Sequence, residues 1–97
     1  MLARLAERLA GLGGEISVEG HTDSRPIATS RFPSNWELST GRASAVVRVL
    51  ASAGVARERL RAIGYADTRP LAANDAAEGR AANRRAELVL RRPARQG

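Results

Sequence analysis

Arg42 is the residue whose type and position most call for chemistry. Between Ser34 and Gly54, Leu38, Ala45, Val46, Val49, Leu50 and Ala53 recur at helical spacing. At 100° per residue from Leu38, Arg42 falls at about 40°, between Val49 near about 20° and Ala53 near about 60°. A guanidinium is thus expected in the middle of an apolar stripe, whereas Arg48, near about 280°, faces solvent. An inward charge needs a partner or a cleft, because an unpaired buried charge is costly. The nearest candidate anion is Asp23, just past Gly20 and in a loop leaving a strand end, where α/β folds place binding residues. Two arrangements satisfy both groups. One is a structural Asp23–Arg42 bridge that locks loop to helix. The other is a shared cleft in which Arg42 takes a ligand carboxylate and Asp23 a ligand ammonium, so that an amino-acid-like zwitterion suits both.

The remaining chemistry-bearing residues are weaker signals. His21 lies close to Asp23, but no nucleophile is partnered with it, and a lone histidine at a strand end is usually structural or solvent-facing. Asn83-Arg84-Arg85 reads equally as an anion grip or as a charged strand edge that blocks unwanted pairing. Trp36, in the first turn of the helix, reads as a packing cap. The absence of cysteine excludes a disulfide scaffold, a thiolate zinc site and a cysteine nucleophile, and one histidine is too few for an imidazole metal cluster. No cofactor or metal is expected. No carboxylate pair or activated nucleophile supports a hydrolase.

Charge gives a further bound. The chain has 97 residues with 16 basic against 10 acidic, a net +6, and every basic residue is arginine. Such a balance can mark an anionic partner such as nucleic acid. Here the arginines are spread along the chain and aromatics are 3%, so arginine written in place of lysine is the simpler reading, and no nucleic-acid partner is expected. No apolar run approaches the ~20 residues that span a bilayer.

The elements that must position these groups follow from periodicity. Leu2, Leu5, Leu9 and Leu12 predict an amphipathic helix ended by Gly11, Gly13 and Gly14. Ile16 and Val18 alternate with Glu15, Ser17 and Glu19 as a half-buried strand up to Gly20, followed by a loop from His21 to Pro33. Ser34-Asn35-Trp36-Glu37 fits a capping box, and that helix is expected to run to about Ala53 with Gly54 as its stop. Val55 to Leu60 reads as a connector, and Ala62 to Ala66 as a second strand with Ile63 and Tyr65 on one face. Asp67 to Asn74 is a loop. Asp75-Ala76-Ala77-Glu78 resembles a second capping box and opens a short helix to about Asn83. Ala86, Leu88 and Leu90 alternate with Glu87, Val89 and Arg91 in a last strand. The order predicts one domain over 1–92, an α/β (α+β) two-layer sandwich with helices on one face of a small sheet, and a frayed tail at 93–97. Three strands are few, and a further strand upstream of Met1 is expected.

Four strings, read together, resemble the OmpA-like peptidoglycan-binding domain: VEGHTDSRP (Val18–Pro26), SNWELSTGRASAVVRVL (Ser34–Leu50), RLRAIGYADTRPLAAND (Arg59–Asp75) and EGRAANRRAELVL (Glu78–Leu90). Their order and spacing carry the likeness from about Glu15 to Leu90; GHTD alone would be weak. FPSNWELS (Phe32–Ser39) is most similar to the MotB branch of that family, the stator proteins of the flagellar motor. The resemblance implies an OmpA-C-like fold with a mixed sheet and a binding module rather than an enzyme. Its ligand would be the diaminopimelate residue of the peptidoglycan stem peptide. Carried over by motif, Asp23 would take the ligand ammonium and Arg42 its carboxylate. Thr22, Asn35 and Leu38 would line the same pocket, and Asn83 and Arg84 would close its far side, with Arg85 a lesser candidate. A MotB-like parent further implies a periplasmic domain of an inner-membrane protein, a MotA-like partner met through a segment absent here, and a homodimer. An outer-membrane or secretion-system parent of the same family is the alternative. Relatives carry a strand before the first helix, and this sequence is expected to start inside that helix.

Overall fold

The computed structural model describes residues 2–91, with side chains described from Arg4 onward. The expected tail at 93–97 and the place of Leu2 in its stripe lie outside the described residues. The elements in order are α1 (Leu2–Ala10), β1 (Glu15–Gly20), α2 (Asn35–Ser52), a 3-10 turn (Arg57–Arg59), β2 (Leu60–Gly64), α3 (Ala77–Asn83) and β3 (Ala86–Arg91). β1 is central. It pairs parallel with β2, from Ile16↔Leu60 to Gly20↔Gly64, and antiparallel with β3, from Glu15↔Arg91 to Gly20↔Ala86. A parallel neighbour needs a long crossover, and α2 supplies it. The mixed sheet carries α2 on one face. Ile16 and Val18 pack there against Ala43 and Leu50 of α2, Ala6 and Leu9 of α1, and Val55.

Both ends of α2 form as their residues dictate. Ser34 is extended, and its Oγ accepts the Trp36 N–H at 3.2 Å while the hydroxyl donates to the Glu37 carboxylate. Removing that hydroxyl frees an N–H at the helix start. Ser34→Ala should therefore lower the unfolding free energy by about 0.5–2 kcal/mol in a urea titration, with no change in far-UV circular dichroism. At the other end, Gly54 takes φ +110°. Its N–H reaches the Ala51 carbonyl at 3.2 Å, and the Val55 N–H reaches the Leu50 carbonyl at 3.1 Å. These are the paired bonds of a Schellman stop, with Val55 and Leu50 making its apolar contact.

The face that α2 presents differs from the expected stripe. Its buried residues are Ser39, Ala43 and Leu50, with Val46 and Val47 at the margin, while Ala45 and Ala53 are exposed and Val49 is 43% exposed. The cause lies in the sheet. Gly20, Gly64 and Ala86 are in register across all three strands, and the first half of α2 settles onto this flat row. A Cβ on Gly20 would meet the Ser39 carbonyl, and one on Gly64 the Thr40 hydroxyl. The helix turns its small residues inward because only they fit, which rotates Arg42 to the flank of the packed face.

Other expectations shift in smaller ways. Among the described side chains of α1, Ala6 and Leu9 are the buried ones, with Leu5 38% exposed and Leu12, just past the helix, 41% exposed, because α1 meets the core along one edge. Arg59 fastens the end of α1: its Nε donates to the Gly14 carbonyl at 2.7 Å and its Nη1 to the Leu9 carbonyl at 2.8 Å. β2 runs two residues earlier than the alternation predicts, because Arg57–Arg59 tighten into a turn and Ala66, at φ 54°, cannot continue a strand. Asp75 does not cap α3; the cap position is Ala76, without a side-chain bond.

Candidate functional site

Three segments meet beyond the carboxyl end of β1. They are the loop from His21 to Ser34, the turn at Tyr65 and Ala66 after β2, and Arg84-Arg85 before β3. The topology forces this meeting, since a parallel β2 ends where β1 ends and an antiparallel β3 starts there. Ladder-like bonds continue past the strands. The Tyr65 N–H donates to the Gly20 carbonyl at 3.0 Å, the Thr22 N–H to Ala66 at 2.8 Å, and the His21 N–H to Arg85 at 2.8 Å. Ala66 is held left-handed by its bond from Thr22 and by donating its own N–H to the buried Ser39 hydroxyl at 3.0 Å. Backbone strain of this kind gathers where the surrounding structure over-determines a loop.

Asp23 is the focus of that loop. It is 7% exposed, and its Oδ2 accepts from Arg84 Nη1 at 2.8 Å while Oδ1 accepts the Arg25 N–H at 3.0 Å. Burial alone would push the carboxyl up. The Arg84 and Arg25 hydrogen bonds, with the charges of both arginines, outweigh it and hold Asp23 below the usual carboxylate range. Thr22, also buried, donates its hydroxyl to the Asp23 carbonyl at 2.8 Å. Asn35, the first residue of α2, donates its amide to the Arg25 carbonyl at 3.0 Å and so ties the loop to the helix start. Beside them, Ser24, Pro26, Ile27, Asn35, Trp36 and Asp67 line an open cleft of about 270 Å³.

Asn83 has a different place from the one expected. It is 0% exposed, and its amide is saturated: Oδ1 accepts the Leu71 and Ala72 N–H groups at 2.7 and 3.1 Å, and Nδ2 donates to the Ala72 carbonyl at 3.0 Å and Asn74 Oδ1 at 2.9 Å. Asn83 is thus a clamp on the 71–74 segment and has no bond left for a ligand. Asn74 passes the restraint on by accepting the Ser24 N–H at 3.2 Å, beside Asp23. Arg85 turns away to the Glu87 carboxylate and the Arg69 carbonyl.

Arg42 and Leu38, one helical turn apart on α2, are both half-buried. Among the described residues Arg42 has no hydrogen bond or ion pair, and the Asp23–Arg42 bridge does not form because Arg84 holds Asp23. Asp23, Thr22, Asn35, Arg84 and Asn83 are therefore joined in one network, while Arg42 and Leu38 stand outside it. Sequence reasoning missed Arg25, Asn74 and Ser39. Their roles run through backbone groups, and no local spacing marks them.

The profile of the OmpA family matches residues 1–84. The chain belongs to the OmpA family. Over 75 residues it is 41% identical to motility protein B of Helicobacter pylori strain 26695, covering 77% of this chain and 29% of that protein. Among solved structures, the C-terminal domain of Helicobacter pylori MotB (residues 125–256) superposes with a TM-score of 0.88 at 36% identity, covering 96% of this chain and 72% of that one. The cell wall anchor of the type VI secretion system from Pseudomonas aeruginosa superposes at 0.85 with 47% identity, covering 92% and 62%. The fold is the α/β arrangement of the MotB domains, as the resemblance implied. The chain spans 29–38% of the length of the first curated relatives it matches.

Proposed function

We propose that this chain is a peptidoglycan-binding module that holds a longer protein to the bacterial cell wall by gripping the diaminopimelate residue of the stem peptide. The observation that carries this reading is the state of Asp23: ionised, nearly buried and preset by Arg84 and Arg25 at a loop end beside an open cleft. Arg42 supports it as a half-buried guanidinium with no partner among the described residues. In this reading Asp23 takes the ligand ammonium and Arg42 its carboxylate. Thr22, Asn35 and Leu38 shape the pocket, Arg84 fixes the carboxylate, and Asn83 is a positioning residue. The module works by recognition, without a reaction, in the periplasm.

The parent has two readings. The FPSNWELS string and the Helicobacter MotB domains support a stator that meets a MotA-like subunit through another segment and pairs as a homodimer. The higher identity to the secretion-system anchor, 47% against 36%, favours an anchor of another assembly. Capture of a MotA-like subunit by the full-length parent separates them.

The test of wall binding is co-sedimentation with insoluble diaminopimelate-type peptidoglycan, with and without free diaminopimelate. Wild type should pellet and be released by the free amino acid. Arg42→Ala should lose at least about tenfold in affinity, the scale of one charge-assisted hydrogen bond, with its circular dichroism unchanged. Undiminished pelleting of Arg42→Ala overturns the site assignment. Binding that survives free diaminopimelate but falls steeply with salt would instead mark a non-specific basic surface.

A further inference from the structure

The sheet face opposite α2 carries a group that wall binding does not use. His21 is 2% exposed, and among the described residues neither ring nitrogen has a hydrogen-bond partner. A buried imidazole normally satisfies at least one nitrogen, so both being free asks for an explanation. Two carboxylates stand beside it. Glu19 and Glu87 are directly opposite each other on β1 and β3, and His21 lies two residues beyond Glu19 on the same side of the chain. One His21 ring nitrogen and one oxygen from each carboxylate lie within 4.8 Å of one another, and His21 Nε2 is 3.9 Å from Glu87 Oε2. The ring is fixed in place, since Tyr65 stacks on it with centroids 5.3 Å apart.

We propose that Glu19, His21 and Glu87 form a binding site for a divalent transition metal of the zinc class, across the β1–β3 pair. The donor set decides the metal. One imidazole and two carboxylates suit zinc, whereas magnesium and calcium prefer all-oxygen sites. Three protein donors also leave positions for water, as in open zinc sites. Tetrahedral zinc with bonds of about 2.0–2.2 Å needs donors about 3.3 Å apart. The two glutamates can close that gap by changing rotamer, because both are only half-buried, with Glu87 giving up its bond from Arg85, while the imidazole stays still. The charges around the site are Glu19 and Glu87 against Arg85, on the Glu87 carboxylate, and Arg69, whose guanidinium lies 3.9 Å from the Tyr65 ring centroid. Metal entry replaces Arg85 on Glu87. Arg85 keeps its place through its bond to the Arg69 carbonyl at 3.0 Å. Burial, with the Arg85 charge, lowers the His21 pKa, so the imidazole is neutral and able to ligate at pH 7.

His21 is the only histidine in the chain, which makes the experiment direct. The intact chain, labelled with 15N, is titrated with zinc chloride at pH 7 while the imidazole nitrogen resonances are followed. One His21 nitrogen should shift markedly and saturate at one zinc per chain, and the melting temperature should rise by several degrees. Magnesium chloride should do neither. The double variant Glu19→Gln, Glu87→Gln leaves the buried ring untouched and should lose at least tenfold in zinc affinity. His21→Gln should abolish the melting shift if it folds. The proposal is overturned if the His21 resonances stay still at millimolar zinc, or if the double variant binds as tightly as wild type.

Discussion

An Asp23→Asn variant should no longer pellet with diaminopimelate-type peptidoglycan under conditions where wild type is mostly bound. The substitution is isosteric. Asparagine can still accept the Arg25 N–H, and Arg84, whose side chain is 46% exposed, remains solvated when its partner loses charge. The fold should therefore survive, and the loss should fall on the ligand ammonium. A hydrogen bond to a charged group is worth about 1.5–3 kcal/mol, or roughly tenfold to more than a hundredfold in affinity. The pH dependence has a definite sign. Because the folded-state carboxyl lies below its ordinary value, its contribution is complete above the unfolded pKa of about 3.9 and is lost only as pH falls through the lower folded value. Wild-type binding should thus be insensitive to Asp23 titration from pH 7 to about 5, and Asp23→Asn should be weaker throughout. An Asp23→Asn protein that binds like wild type would remove Asp23 from the site.

The second large effect concerns stability. Gly20→Ala places a methyl group against the Ser39 backbone carbonyl, in the row where α2 rests on the sheet. A side chain could swing aside, but here the helix itself would have to lift. Overpacking costs typically about 1–3 kcal/mol and more where backbone must move. Domains of this size have about 5–15 kcal/mol in total, so the urea midpoint should fall sharply. Gly11→Ala is the control. Its new Cβ would meet only ordinary contacts, 3.7 Å from the Arg8 carbonyl oxygen and 3.9 Å from that of Glu7, and its unfolding free energy should stay within about 0.5 kcal/mol of wild type. A Gly20→Ala midpoint equal to that of Gly11→Ala would show that the close approach does not matter.

These variants also mark what the sequence made legible. Elements with a strong local signature were found close to where they lie. Ile16 and Val18 alternate with polar residues in β1, Ser34 caps α2, and Gly54 stops it. The phase of α2 was not legible from its large apolar residues, because the contact that sets it is made by Ser39 and Ala43. Those residues carry little hydropathy, and Ser39 faces glycines in two distant strands. That is why Arg42 was expected mid-stripe and lies on the flank. Asp23 and Arg84 were both candidates, but their pairing joins positions 61 residues apart and leaves no trace in local spacing. The motif around Asn83 is recognisable and points to a ligand contact. Only its four amide bonds reveal it as a clamp.

The place of Asp23 also bears on mechanical force. A tether fixed at Asp23 delivers its pull to the end of β1, which among the described residues is the strand bonded on both sides. A force along β1 runs roughly across its hydrogen bonds to β2 and β3, so the two ladders are sheared together rather than unzipped bond by bond. Rupture under load is governed by the unfolding rate, not by equilibrium stability. A small domain with a modest core can therefore hold a sustained pull at this point, provided the load enters through the central strand.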